Sequence, residues 1–150
     1  MHFLCIGDAM MDVSAAIDSE IAFGGDTRAA ISTQGGGAAA NVATWLAFNK
    51  ESVYLVSRVG DDQPGEYIHK ELDMYGVAHS PYRIHGEKTG TVIILIHENG
   101  ERTMFPDSGA NSGLSLSDLP PLAGIDAVYI SGYCLINPRS EEHTSELQSH

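Results

Sequence analysis

The chain has 150 residues, 43% of them hydrophobic and 19% charged, which is enough for one core and short for two domains. With 20 acidic against 8 basic residues the formal net charge is −12, a field that repels phosphate backbones and argues against a nucleic-acid partner. The apolar residues fall in periodic runs between turn signals, so the chain reads as folded, and no run nears the ~18 apolar residues of a membrane span.

Residues 2–6 are apolar enough for a buried first strand, which Gly7-Asp8 ends. The run is too short for a secretory leader. Val13 to Ile17 reads as a strand and Gly24-Gly25-Asp26 as a turn. Arg28 to Thr33 has the makings of a short strand. Gly35-Gly36-Gly37 then leads into a helix from Ala38 to Phe48, apolar nearly all round.

Ser52 to Val59 predicts a second buried strand. A helix from Pro64 to Tyr75 follows, with Asp61 or Asp62 as its cap and Gly76 at its end. On it Tyr67, Ile68, Leu72 and Tyr75 recur at helical spacing and read as core. Residues 82–106 differ in kind: a strong strand from Thr91 to His97, the hairpin signal Asn99-Gly100, and a returning Arg102-Thr-Met-Phe. Such a hairpin breaks the strand–helix alternation and predicts a small antiparallel sheet appended to an α/β core. Ala127 to Ile130 is a further core strand. Cys5 and Cys134 both lie in strand-like runs and read as buried thiols in a reducing cytoplasm. The seven histidines form no metal-binding spacing.

The segment Gln34 to Ala43 carries the most chemical information. Glycines admit a ligand close to the backbone, and a helix N-terminus behind them offers unpaired N–H groups. Gly35-x-Gly37-x-x-Ala40 fits a dinucleotide fingerprint, although the strongest early strand lies about thirty residues upstream. A Walker A loop fails for want of Gly-Lys-Ser/Thr. A polyol-binding loop is the third reading, with the Asn41 amide offering donors and an acceptor to hydroxyls. Tight helix packing, with Asn41 as a cap, is the structural alternative.

Several segments in order bear on that choice. Gly36-Gly37-Ala-Ala-Ala-Asn41, then Val59-Gly60-Asp61-Asp62 and Gly65, resembles the first signature of the PfkB/ribokinase family of carbohydrate kinases. Gly7-Asp8 with Asp12 resembles the family's first strand and substrate aspartate. Lys88-Thr89-Gly90-Thr91 with Gly100-Glu101-Arg102-Thr103 resembles its lid, Ser108-Gly109-Ala110-Asn111 the segment after the lid, and Ser131-Gly132-Tyr133 a common strand end. The resemblance spans nearly all of residues 1–138. It implies a Rossmann-like α/β ribokinase fold with a small antiparallel β-sheet lid, contributed by about 13–33 and 82–106.

By the same resemblance Asp12, Gly36, Gly37 and Asn41 contact the hydroxyls of a sugar or nucleoside, and Thr89, Arg102 and Asn111 are weaker candidates. A carboxylate suits that task because it accepts two hydroxyl protons. ATP and Mg2+ are implied for the parent enzyme, as is a homodimer through the lid edges. Two positions depart from ribokinase itself: Met10 and Ala38 stand where an asparagine and a lysine are expected, which leaves the sugar open.

The catalytic aspartate of this family lies in a Gly-Ala-Gly-Asp motif that opens a helix. None occurs in residues 1–138; the nearest sequence, Phe23-Gly24-Gly25-Asp26, opens no apolar helix and reads as a lid turn. Residues 139–150 (Arg-Ser-Glu-Glu-His-Thr-Ser-Glu-Leu-Gln-Ser-His) carry one leucine and resemble a translated sequencing-library adapter. Without them 7 basic and 17 acidic residues leave a net charge of −10. The expectation is therefore the sugar-binding half of a kinase that lacks its catalytic half. A non-catalytic sugar- or nucleoside-binding module is the alternative, and a dinucleotide-binding protein a minor one.

Overall fold

The computed structural model describes residues 1–136; the segment read as foreign lies outside them. Two four-stranded sheets make up the structure. The first has the order β5-β4-β1-β8 and is parallel throughout: β1 (His2–Ile6) lies between β4 (Ser52–Val56) and β8 (Ala127–Ile130), with β5 (Ala78–His79) at the edge. Central strands of a parallel sheet read as continuous apolar runs, and Leu4, Cys5 and Leu55 are fully buried, while Val128 and Ile130 on β8 are exposed.

Helices α1 (Ala38–Phe48) and α2 (Gln63–Tyr75) cover one face of this sheet. α1 turns Ala39, Ala40 and Ala43 inward, and these small side chains let it pack close to Cys5, Val53 and Leu55. α2 adds Ile68 and Leu72, each stabilising the fold by about 1.5–3 kcal/mol relative to exposure. Its ends are specified locally. The Asp62 carboxylate accepts from the Gly65 N–H at 2.9 Å, Pro64 sits in the first turn, and Gly76 takes the left-handed conformation at φ 76°. No described helix is long and apolar enough to cross a membrane.

The second sheet has the order β3-β2-β6-β7, from β2 (Met10–Ala16), β3 (Ala30–Gly36), β6 (Thr91–Ile96) and β7 (Arg102–Asp107). It corrects the expectation of an antiparallel lid. The pairs β2–β3 and β6–β7 are antiparallel hairpins, the second turning at Asn99-Gly100, but β2 and β6 pair in parallel, so the sheet is mixed. The reason is topological: both outgoing strands leave the core in the same direction, and they meet at the centre. The strands also extend beyond the expected bounds. β2 starts at Met10, β3 runs on through Gly35 and Gly36, and residues 82–90 contribute no lid strand. Cys134 falls in a helical turn, α3 (Gly132–Leu135), instead of a strand; it and the buried Cys5 are both free thiols.

The register separates the two faces of the lid. Asp12 shares one face with Gln34, Val92 and Pro106 in its own row, then Ser14, Ile94 and Met104 in the next. Val13, Thr33, Ile93 and Phe105 lie on the other face, with Ile31 and Leu95. Ile31, Ile93 and Phe105 are all exposed there.

Candidate functional site

The lid meets the core where β3 passes into α1, and three consecutive glycines make the junction. Neighbouring residues of a strand face opposite sides, so Gly35 and Gly36 answer to different neighbours. A Cβ on Gly36 would stand 2.3 Å from Asp12 Oδ2 and 2.5 Å from its Cγ. A Cβ on Gly35 would stand 1.7 Å from Glu71 Oε2, on α2. Gly37 adopts φ 98°, a conformation that favours glycine, and a Cβ there would meet the Asp8 carbonyl oxygen at 2.4 Å. The glycines are therefore the space into which two carboxylates and a strand end fit.

Asp12 is half-buried, and burial raises its pKa above the ordinary carboxylate value. No described residue donates a hydrogen bond to its carboxylate. Asp8, at the end of β1, is likewise raised by burial, while its carbonyl accepts the Ala40 N–H at 3.2 Å. Each is a desolvated carboxylate without an internal donor, a group suited to a ligand that brings hydroxyl or ammonium protons.

Asn41 lies in the first turn of α1. Its side chain caps nothing: α1 begins at Gly37 without a side-chain cap bond, and the Asn41 amide group has no partner among the described residues. With Gly36 it lines a cleft of about 180 Å³ between α1 and α2, walled also by Gln34, Thr44, Glu71 and Tyr75. The structure thus sets Asp12 against Gly36, and Gly36 and Asn41 in one cleft. It also adds Glu71 and Gln34, which sequence reasoning passed over.

Of the three weaker candidates, Thr89 and Asn111 are engaged in internal hydrogen bonds. Thr89 is buried; its hydroxyl donates to Asp62 Oδ1 and accepts the Gly60 N–H at 3.0 Å. The Thr89 N–H reaches Asp62 Oδ2 at 2.8 Å. Burial alone would raise the Asp62 pKa, but these bonds outweigh it and hold the group below its ordinary value. Asn111, also buried, donates to the Ala9 carbonyl at 2.9 Å and accepts from the Ala9 and Arg58 N–H groups at 3.4 Å. Both side chains clamp the base of the lid to the core. Arg102 stands on the same lid face as Asp12 but two strands across and four residues along, roughly 16 Å away from the strand rise and spacing. Lys88, beside Thr89, pairs with Asp107.

Met10 and Ala38, the two departures from ribokinase, also have definite surroundings. Met10 is buried opposite Gly36 and puts an apolar group at the base of Asp12's strand. Ala38 opens α1 without a charge. Among the described residues no three His, Cys, Asp or Glu side chains converge in a way that would hold a metal ion. The residues present thus do not make a metal site, and no step through Mg2+ is derived from them.

The profile of the pfkB family carbohydrate kinases matches residues 2–149. The chain belongs to the pfkB family of carbohydrate kinases. The match covers the glycine junction, both hairpins and β8, and runs on through residues 139–149. A fructokinase of Vibrio alginolyticus is 30% identical over 115 residues, which are 74% of this chain and 37% of that protein. A ribokinase structure from Giardia lamblia superposes with a TM-score of 0.85 at 22% identity, covering 97% of this chain and 48% of its own. An Arabidopsis thaliana ribokinase, solved with ribose and ATP, is 29% identical with a TM-score of 0.63 over 73% of this chain and 36% of its own. The chain spans 34–41% of the length of three curated relatives it matches. The α/β fold with an appended sheet is the ribokinase fold.

Proposed function

We propose that this chain is the acceptor-binding portion of an ATP-dependent kinase that phosphorylates a hydroxyl of a sugar or nucleoside. The observation that carries the reading is the junction itself: a half-buried Asp12 carboxylate without an internal donor is seated against Gly36, and the same glycine lines a cleft with an Asn41 amide that has no partner among the described residues. Aspartate and amide together accept and donate to neighbouring hydroxyls, which fixes a polyol's orientation. The pfkB family relationship supplies the reaction class, and ATP with Mg2+ is the phosphoryl donor that class implies.

The catalytic base and most of the nucleotide site lie, on this reading, in the part of the family's length that this chain does not share, since it spans 34–41% of three curated relatives. The expected result is that the 150-residue chain binds a neutral sugar or nucleoside in a calorimetric or NMR titration yet transfers no phosphate from Mg-ATP. Reading the gene through codons 137–150 and beyond is expected to reveal an in-frame Gly-Ala-Gly-Asp. A genuine stop at that point, with sugar binding intact, would favour a non-catalytic binding module. The exposed apolar face of the lid supports a homodimer with lid packed on lid, and two free thiols suit a reducing cytoplasm.

A further inference from the structure

Asn111 is buried where the connections between lid and core converge. The chain passes between the two at four places: Ala9 into β2, β3 into Gly37, Gly90 into β6, and β7 into the 3-10 turn (Gly109–Gly113) that carries Asn111. The Asn111 amide pairs with both backbone groups of Ala9: Nδ2 donates to the carbonyl at 2.9 Å, and Oδ1 accepts the N–H at 3.4 Å. Oδ1 also accepts the Arg58 N–H, from the segment leaving β4, at 3.4 Å. Gly90 lies against the same amide, since a Cβ there would stand 2.8 Å from Nδ2. The Gly90 carbonyl in turn accepts the Met11 N–H at 2.8 Å, one residue before Asp12. The remaining passage closes on Ala9 as well: a Cβ on Gly37 would stand 3.0 Å from Ala9 Cα.

The acceptor-site residues are divided between the two bodies that meet here. Asp12 and Gly36 belong to the lid strands, Gly37 and Asn41 to the start of the core helix α1. We propose that Asn111 is a positioning residue of the acceptor site: without touching the acceptor, it fixes the angle at which the lid holds Asp12 against the core that carries Asn41. The inference rests on the acceptor-binding reading given above and adds to it the residue that sets the site's geometry. Asp12 follows Ala9 by three residues, roughly 10 Å at the strand rise, so a tilt of about 6° at Ala9 moves it by about 1 Å. A displacement of that size takes a carboxylate out of good hydrogen-bond geometry with a hydroxyl held by the core. Asn111→Asp keeps the shape of the side chain but turns the donor that faces the Ala9 carbonyl into an acceptor, which pushes the pair apart.

The test is a titration of the 150-residue chain with D-ribose, D-fructose and adenosine, with Kd referred to the folded fraction, together with amide NMR spectra of the ligand-free proteins. In Asn111→Asp, Kd for the preferred acceptor is expected to rise at least about tenfold per folded molecule, and the amide signals of Asp12 and Asn41 to shift before any ligand is added. Gly90→Ala leaves Asn111 in place but drives a methyl group against Nδ2; it should weaken binding in the same direction, and it decides the matter if Asn111→Asp does not fold. A merely structural Asn111 lowers the melting midpoint and leaves Kd per folded molecule within about twofold, and that result overturns the proposal while the acceptor site stands. Weaker binding with the Asp12 and Asn41 signals unmoved puts Asn111 in contact with the ligand and overturns the positioning role as well. If none of the three probes binds the wild-type chain, the acceptor-site reading falls, and the role of Asn111 with it.

Discussion

Gly36→Ala tests the junction most directly. The new Cβ would sit 2.3, 2.5 and 2.6 Å from Oδ2, Cγ and Oδ1 of Asp12, distances that real Cβ contacts do not reach. The Gly36 backbone is not in the left-handed region, so alanine is conformationally permitted and the conflict is confined to the carboxylate. Asp12 has to rotate out of its rotamer, at about 0.5–1.5 kcal/mol. The smaller entropy of the unfolded alanine chain returns about 0.4–1 kcal/mol. Stability should therefore change by no more than about 1 kcal/mol. Binding should change far more. Misdirecting the carboxylate removes its charge-assisted bonds to hydroxyls, about 1.5–3 kcal/mol, or roughly a 10- to 150-fold rise in Kd. Asp12→Ala removes the group that clashes, so Gly36→Ala added to it should cost almost nothing more. The assay is a double-mutant cycle on sugar affinity, with thermal melts of all four proteins. Losses that add within about 0.5 kcal/mol would refute the reasoning, because independent sites behave that way. So would wild-type affinity in Gly36→Ala.

The remaining predictions address stability, pH and assembly. Thr89→Val strips one donor from Asp62 and the acceptor of the Gly60 N–H, and should destabilise the chain by about 1–3 kcal/mol in urea titrations, with Thr89→Ser close to wild type. His69 stacks on His79, with ring centroids 4.3 Å apart; burial first and the neighbouring ring second lower its pKa to about 4. Above pH 6.5 both states are neutral. As pH falls from 6.5 to 4 the unfolded chain takes up a proton that the fold refuses, and stability is lost by about 1 kcal/mol once solvent screening is allowed for. The difference between wild type and His69→Gln in urea melts at pH 7 and pH 4.5 isolates this loss from the opposing contribution of Asp8 and Asp12. Ile93→Lys on the outer lid face should turn a concentration-dependent dimer into a monomer in sedimentation, while Ile94→Lys, on the Asp12 face, should impair sugar binding.

The α/β core was legible because local chemistry and tertiary structure agree there. Residues 3–6 and 53–56 are apolar runs, as buried strands of a parallel sheet are, and α2 carries a cap, an early proline and a terminal glycine within its own sequence. The Asn99-Gly100 hairpin is local too. The parallel meeting of β2 and β6 was not legible, because it joins residues about eighty positions apart and leaves no pattern in either strand. Cys134 was misplaced for a different reason: a short apolar run after Ile130 suits a strand or a helical turn equally.

The site was legible in part, and strand parity explains which part. The glycine triplet announces a close approach but does not say of what. Read as a turn, Gly35 and Gly36 seem to serve one purpose. Placed in β3, they must face opposite sides, so two different groups have to occupy the two spaces. Resemblance identified one of them, Asp12. The other, Glu71, reads on α2 as an ordinary charged helix position, because its neighbours in sequence include ion-paired Lys70 and the exposed Asp73. Only the packing of α2 across β3 turns that carboxylate toward the glycines. Thr89 and Asn111 show the converse. Their motifs are conspicuous, yet a buried hydroxyl or amide must first satisfy its own hydrogen bonds, and the nearest groups able to do so are Asp62, Gly60 and the Ala9 backbone. At this junction the side chains of Asp8, Asp12, Asn41 and Glu71 have no internal hydrogen-bond partner among the described residues, whereas the conspicuous Thr89 and Asn111 do.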